Sequence, residues 1–547
     1  MMKFDIVIAG GGFAGAYCAR TLGRALGKAG IKRVALIAEQ NVLVFQPMLA
    51  EVVGSSLTPL DVVNPLRNFA PHVNVLKGSI HKIDWAKKEL MLDGGRFTRN
   101  HVVGFEHLVL ALGSVTDLSR VPGMADYGWP MKNVSDALRL RSALINRLEE
   151  ANLVDDDAVR KRLLTFVIVG GGYTGVETGG QILDLLHDAK KRFVNLQNTP
   201  LRVVLVHSRG HLLEEIGERL GDYAQRVLEK RGMEVRLNTR VVEVSSRKVS
   251  LNDGSYIDAH TVISTVGSAP HPVVVDLCRQ LGIENKGRLD VEATMQVNGQ
   301  PNLWALGDCA SVPWNDKGQT KPSPPTAQFA IRQGTQLAKN LLRSAKNEPL
   351  QPFKYTYMGQ MATVGEHAAV AEVFGFRFSG FFAWWMWRSI YLAKLPGILR
   401  KLRVMVDWTF DLFFQRDTSL VAPPPEDLVR SIHLEKSEEL VLRGDKCRGI
   451  FVVRRGTLNS TSPEAPAAML GVDTVIDGQF VDQNGNWKTT LSAAESSDVI
   501  VFRGRAYELI RNHLRIVALD DAPKAAMPAG TESAAGTNIV APAANAK

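Results

Sequence analysis

FDIVIAGGGFAG, residues 4–15, is the stretch on which the fold turns. Its first six residues form a nearly continuous apolar run, as strands do when both faces of their sheet are covered. The run opens into Gly10, Gly12 and Gly15 at G-x-G-x-x-G spacing, and a helical pattern follows to Ala25. In such a unit the first glycine permits the tight turn and the second lets the backbone approach a pyrophosphate. The third lets helix and strand pack closely, while the helix N-terminus faces the phosphate charge. Phe13 and Ala14 complete the loop. A single copy of so short a pattern is weak, so the weight falls on what lies downstream.

A second copy, FVIVGGGYTG at residues 166–175, repeats the arrangement with Gly170, Gly172, Tyr173, Thr174 and Gly175. Two further strands end in glycine, LVLALG at Gly113 and VISTVG at Gly267, and LWALGD closes the series at Asp308. An acidic residue is expected after each loop's next strand, where it binds the adenosine ribose. Glu39 stands there for the first loop, 24 residues past Gly15. After the second loop the strand ends in His207, Ser208 and Arg209 instead. An acid at that place repels a 2′-phosphate and an arginine accommodates one. Arg209 therefore points to acceptance of NADPH as well as NADH, with an exposed loop cation as the plain alternative.

The 547 residues are too many for one core, and their formal charge is +9. No Lys/Arg run resembles a nucleic-acid arm, so nucleotide phosphates and anionic lipid are the expected partners and nucleic acid is not. Cys18, Cys278, Cys309 and Cys447 are scattered, without a Cys-x-x-Cys pair, so neither a metal site nor a disulfide framework is expected. The chain opens directly into its first strand, and no signal or transit segment is expected. No stretch reaches the roughly 18 apolar residues of a spanning helix. From Phe374 to Phe414, however, 13 of 41 residues are aromatic, against about three at the chain's average, and Arg377, Arg388, Lys394, Arg400, Lys401 and Arg403 are interleaved. Trp384, Trp385, Trp387 and Trp408 lie in this segment, which reads as an amphipathic anchor lying on an anionic membrane surface.

The order loop, strand-Gly, loop, strand-Gly, strand-Gly-Asp resembles the two-dinucleotide-binding flavoproteins, in which the second unit is inserted into the first. The resemblance implies that Gly10, Gly12, Gly15 and Asp308 hold FAD, and that Gly170, Gly172 and Gly175 hold the nicotinamide nucleotide. Disulfide reductases of that group need a cysteine pair beside the flavin, and residues 40–70 contain none. What remains closest is the type II (non-pumping) NADH:quinone oxidoreductase family, over about residues 1–420. Residues 45–49, which include Pro47, and residues 51–54 look like its flavin-side loop. Glu177 matches its helix carboxylate between nicotinamide and quinone. Ala327 and Gln328 open AQFAIRQG, which resembles its quinone-site signature. Two departures stand out: Arg332 where the family has a second glutamine, and Tyr391 where it often has histidine. Glu177 and Gln328 are thus the expected catalytic residues, with Arg332 one turn beyond Gln328 as a cation able to stabilise a reduced quinone.

The expected architecture is α/β, with two Rossmann-type units. A FAD-binding domain in two parts, 1–118 and 286–345, encloses an NAD(P)H-binding domain, 119–285. Amphipathic membrane-anchoring helices occupy 346–420. After a proline-rich linker, 427–520 reads as a β jelly roll that resembles a degenerate cyclic-nucleotide-binding domain. A helix at 506–514 and a disordered tail at 521–547, rich in alanine, are expected to follow. The expected activity is transfer of electrons from NAD(P)H through FAD to a membrane quinone without proton pumping, at the cytoplasmic face of a membrane, the inner one in a bacterium. A homodimer through the C-terminal regions is compatible with this. Two other readings stay open: a soluble NAD(P)H oxidase or diaphorase, and a redox-responsive binding protein that signals through the C-terminal barrel.

Overall fold

The computed structural model describes residues 2–503, apart from 96, 97, 285, 286, 317, 421–428, 435, 446, 448, 464, 483 and 484. Residues 1–420 form one compact unit and 421–547 a second. The linker prolines, the expected 506–514 helix and the expected disordered tail lie outside the described residues.

In the first unit, the strand Met2–Ala9 pairs in parallel with Val34–Ala38 on one side and His101–Leu110 on the other. Asn74–Lys77 extends the sheet at one edge, and Gln300–Ala305 joins it beside His101–Leu110 at the other. The expected discontinuity is therefore real: a strand near residue 300 completes a sheet begun at residue 2. All-parallel pairing needs cover on both faces. Helix α1 (Phe13–Leu26) supplies part of that cover, with Ala16, Cys18, Ala19 and Leu22 wholly buried. A short helix, α2 (Leu49–Val53), follows the Gln46–Met48 turn.

The inserted sheet has the order Gly128–Pro130, Thr261–Ser264, Thr165–Val169, Arg202–Val206, Met233–Arg236, all parallel. Val167, Ile168, Val204 and Leu205 at its centre are fully buried. Helix α3 (Tyr173–Lys190) rises from its glycine loop and packs against α2 of the first domain. The chain passes into and out of the insertion through a two-stranded antiparallel link, Ser114–Thr116 with Ser268–Pro270. The inserted sheet thus lies between residues 128 and 264, with the link strands on either side of it.

Helix α4 (Ala327–Ser344) returns to the first domain and lies on α1. A Cβ at Gly334 would sit 2.3 Å from the carbonyl oxygen of Ala14, so glycine sets how closely the two helices approach. Beyond it, Gly359–Thr363, Ala369–Val373 and Phe376–Ser379 form a small antiparallel sheet. The aromatic segment then folds as two helices, α5 (Gly380–Lys394) and α6 (Ile398–Phe410). No helix among the described residues is long and apolar enough to cross a membrane.

These helices correct one expectation. Trp384, Trp387 and Trp408 are buried, and of the four tryptophans only Trp385 is exposed. The exposed apolar side chains are instead Phe381, Phe382, Ile398, Leu399, Leu402, Met405, Val406 and Phe410, continuing into Leu412, Phe413 and Phe414. Arg388 explains the inward turn. Its guanidinium lies 4.2 Å from the Trp384 ring and 4.8 Å from Trp408, and pairs with Asp411 at 3.5 Å.

The second unit contains two four-stranded antiparallel sheets on one apolar core, which includes Phe451, Val453, Leu458, Trp487, Leu491 and Val499. Some of its strands are short: Val475–Ile476 ends before the Gly478–Phe480 turn, and Thr490–Ala493 is four residues long.

Candidate functional site

At the first loop, a Cβ on Gly15 would stand 1.9 Å from the carbonyl oxygen of Gly10, so this helix can approach its strand only with glycine there. A Cβ on Gly12 would meet nothing within 4 Å, because that position faces open space. The space is a cavity of about 390 Å³ lined by Gly10, Gly12, Phe13, Ala14, Glu39, Gly113, Asp308 and Ala327. Eight expected cofactor contacts thus meet at one place. Glu39 does reach the cavity, from the end of the strand that finishes at Ala38. Pro47 itself is not in the lining; its neighbour Gln46 is.

The motifs did not disclose Ser79, Ser114, Lys132, Asn133 and His271, which also line the cavity. Lys132 donates to the Ser114 hydroxyl at 2.9 Å, and Asn133 caps the helix Val134–Leu153. A cavity with an open glycine cradle, a helix N-terminus and a carboxylate at its far strand fits a dinucleotide such as FAD.

The second loop repeats the geometry. A Cβ on Gly175 would meet the Gly170 oxygen at 1.8 Å, and one on Gly172 would meet nothing. Gly267 immediately precedes the link strand, its carbonyl accepting from the Asp117 amide at 2.9 Å. Past the loop, His207 Nδ1 accepts from the Gly171 amide at 3.1 Å, which ties the imidazole to the turn. Burial lowers the His207 pKa, so the ring is neutral and suited to accepting that bond. Arg209 is exposed and pairs with Glu214 at 3.6 Å. A carboxylate therefore does stand at this corner, although it comes from a segment beyond the strand end.

Tyr173, Thr174 and Glu177 occupy the first turns of α3. Glu177 Oε1 accepts from the Thr363 amide at 3.2 Å, so the small C-terminal sheet holds it. Desolvation raises its pKa to about 8; the Thr363 bond opposes the rise and the charge of Glu51 adds to it. Tyr391 is a neighbour and packs on Trp387 at 4.6 Å and on Phe45 at 6.1 Å. The Tyr173 hydroxyl is buried and has no hydrogen-bond partner. Such an orphan is normally satisfied by a ligand or water.

Glu51, on α2, is a second buried carboxyl. It accepts from the indole nitrogen of Trp408 at 2.8 Å, and desolvation lifts its pKa to about 7 against the opposing charge of Arg388. Near Glu177, therefore, the flavin-side loop, the inserted domain and the aromatic helices all contribute.

Gln328, in the first turn of α4, donates from Nε2 to the Gly359 carbonyl at 2.8 Å and accepts from the Tyr355 hydroxyl at 2.9 Å. One amide hydrogen is left over. Arg332 lies one turn on, donating to the Gln328 carbonyl at 3.0 Å with its guanidinium 4.1 Å from the centre of the Tyr355 ring. Thiol chemistry finds no support here: Cys18, Cys278 and Cys309 are buried, and burial pushes the Cys309 thiol up to about 11. Among the described residues, no group of side chains could hold a metal ion.

Comparison with known proteins agrees with this geometry. Residues 4–334 match the family model for pyridine nucleotide-disulphide oxidoreductases, and residues 357–417 match the NDH2 C-terminal domain. The type II NADH:quinone oxidoreductase Ndh of Mycobacterium tuberculosis is 30% identical over 80% of this chain and 94% of its own length. The external alternative NAD(P)H-ubiquinone oxidoreductase B3 of Arabidopsis thaliana mitochondria is 25% identical, over 77% of this chain and 91% of its own. Among solved structures, NDH2 from Plasmodium falciparum in complex with NADH superposes with a TM-score of 0.70 at 19% identity, over 76% of this chain and 99% of that one.

Proposed function

The chain belongs to the type II NADH:quinone oxidoreductases, within the pyridine nucleotide-disulphide oxidoreductase family, and from that premise we propose that it passes electrons from NAD(P)H through FAD to a quinone taken from a membrane surface. FAD, when bound, accepts hydride from the nicotinamide and passes two electrons on. The protein's part is to hold, orient and shield. Gly10, Gly12, Gly15, Glu39 and Asp308 would hold FAD, while Gly170, Gly172 and Gly175 would seat the donor. Asp308 sits beside Gly307, whose amide donates to Gln333 at 2.9 Å, so α4 fixes this corner.

The observation that carries the reading is the setting of Glu177. The Thr363 amide of the small sheet holds its carboxyl, Tyr391 of the aromatic helices stands beside it, and burial lets it keep a proton up to about pH 8. Forming a quinol takes up a proton from outside the hydride, and Glu177 is placed to hold one. The free amide hydrogen of Gln328 is suited to a quinone carbonyl, with Tyr355 and Gly359 fixing the carboxamide plane. The exposed apolar residues of α5 and α6, interleaved with Lys401 and Arg403, suit a helix pair resting on anionic lipid. We read the C-terminal sandwich as a cyclic-nucleotide-binding-like barrel that binds no such ligand. Between Leu470 and Ala494 it has Lys488 as its sole cation and three aspartates, a poor lining for a cyclic phosphate.

One reconstitution tests this reading. Full-length protein should float with phosphatidylglycerol vesicles and reoxidise its flavin with a quinone dissolved in the bilayer. Gln328→Leu should still float and still be reduced by NADH, but its quinone step should slow by about tenfold, roughly the worth of one hydrogen bond. An unchanged quinone step in that variant would favour the soluble-acceptor reading, and protein that stays with the aqueous phase would count against the membrane surface.

A further inference from the structure

The arginines buried beside Asp184 and Asp411 are paired with those acids. Arg416 pairs with Asp184 at 3.3 Å and Asp411 at 3.6 Å, Arg388 pairs with Asp411, and Arg231 pairs with Asp184. That is the usual arrangement, because a cation removed from water is costly without a counter-charge. Arg332 and Lys394 depart from it. Both are half-buried, and among the described residues neither forms an ion pair. Arg332 meets only a backbone carbonyl, the sulfur of Met358 at 4.0 Å and the face of Tyr355. Lys394 stands 5.8 Å from the centre of the Tyr391 ring.

The two cations feel one another: after burial, the charge of Arg332 is what lowers the pKa of Lys394. Arg332 lies over the ring of Tyr355, which holds Gln328, and Lys394 over that of Tyr391, beside Glu177. Two adjacent, half-buried cations with no acid are stabilised when the ligand supplies the negative charge.

We propose that Arg332 and Lys394 form an anion-selecting pair beside Gln328, favouring quinones whose ring carries an ionised hydroxyl beside a carbonyl over neutral rings. This rests on the quinone reading above and adds to it the class of acceptor. The planar guanidinium suits two neighbouring oxygens on one ring, which an ammonium matches less well.

The test uses the full chain in lipid-free detergent, with NADH as donor and two acceptors, 2-hydroxy-1,4-naphthoquinone (ionised at neutral pH) and neutral 1,4-naphthoquinone. The quantity read is the ratio of kcat/KM for the ionised acceptor to that for the neutral one. Arg332→Gln should lower this ratio about tenfold, the order expected for a lost charge-assisted bond. Lys394→Gln should lower it less, and Arg332→Lys should restore only part of it. Added salt should weaken the preference in the wild type but not in Arg332→Gln. A ratio that stays within about twofold in both glutamine variants would overturn the proposal. So would a change seen only when phosphatidylglycerol is added, since the cations would then serve a lipid phosphate. If Arg332→Gln loses its flavin, Lys394→Gln decides alone. A wild type that reduces neither acceptor would instead overturn the quinone reading on which the proposal stands.

Discussion

At the first glycine loop the next strand ends in Glu39, an exposed carboxylate on the rim of a cavity of about 390 Å³; at the second it ends in His207, tied back to the Gly171 amide at 3.1 Å. Two residues past the third glycine, α1 carries Tyr17 and α3 carries Glu177. Tyr17 packs edge-on against Phe69 at 5.0 Å, whereas Glu177 is a neighbour of Tyr173, whose buried hydroxyl has no hydrogen-bond partner. The two turns themselves are nearly superimposable in their constraints, with Cβ clashes of 1.9 and 1.8 Å at Gly15 and Gly175 and open space at Gly12 and Gly172. Glycine sets the turn, and the residues around it set what the turn serves. On the proposed function, the first loop would retain a dinucleotide and the second would admit one beside a carboxyl whose pKa burial raises to about 8.

The widest break between the loops comes from one substitution made in each. Because Gly12 and Gly172 face open space, an aspartate fits the fold but puts its carboxylate where a pyrophosphate belongs. Gly12→Asp should yield colourless protein, with bound flavin down to about a tenth or less. Gly172→Asp should stay yellow and lose roughly a hundredfold in its rate of reduction by NADH. Absorbance at purification and anaerobic reduction kinetics separate the two, and matching phenotypes would show that the loops do not divide the work.

A smaller effect should appear in the pH profile. Burial raises Glu177 to about 8, so this carboxyl is neutral below that pH and ionised above it. Quinone turnover should fall as pH rises through about 8 in the wild type. Glu177→Gln should be slower by about tenfold at neutral pH and lack that alkaline limb. The limb persisting in the variant would assign it to another group.

The smallest effect expected is at the ribose corner of the second loop. Arg209 is only loosely held by Glu214 at 3.6 Å, so NADPH should reduce the flavin within about tenfold of the NADH rate. Arg209→Glu should then move the preference towards NADH by a further factor of about ten. Paired KM measurements for the two nucleotides read this directly, and an unchanged ratio would make Arg209 a mere surface cation.

Much of this was open to a reader of the sequence, for a physical reason. Gly10, Gly12, Gly15 and their second-loop counterparts are positions that only glycine can fill or that must be left bare, and the strands before them are buried on both faces. Asp308 and Glu39 follow at spacings fixed by strand and helix lengths. Other parts left no local trace. Lys132, Ser114 and His271 line the cavity from segments without a motif. The bond from Trp408 to Glu51 joins residues 357 positions apart, which no periodicity can disclose. Nor could the aromatic segment show which tryptophans turn inward. Aromatic residues cover both sides of α5, and it is Arg388, paired with Asp411, that draws Trp384 and Trp408 to the inside.

The central claim is that electrons enter at the second loop and leave beside Gln328 to a quinone. Two anaerobic stopped-flow mixings of the purified protein test it most directly. NADH should bleach the flavin absorbance, and the reduced protein mixed with a quinone should recover it at a rate no slower than steady-state turnover. Recovery in aerated buffer without quinone should be much slower. Flavin that bleaches with NADH and is reoxidised by oxygen as fast as by any quinone would contradict the account.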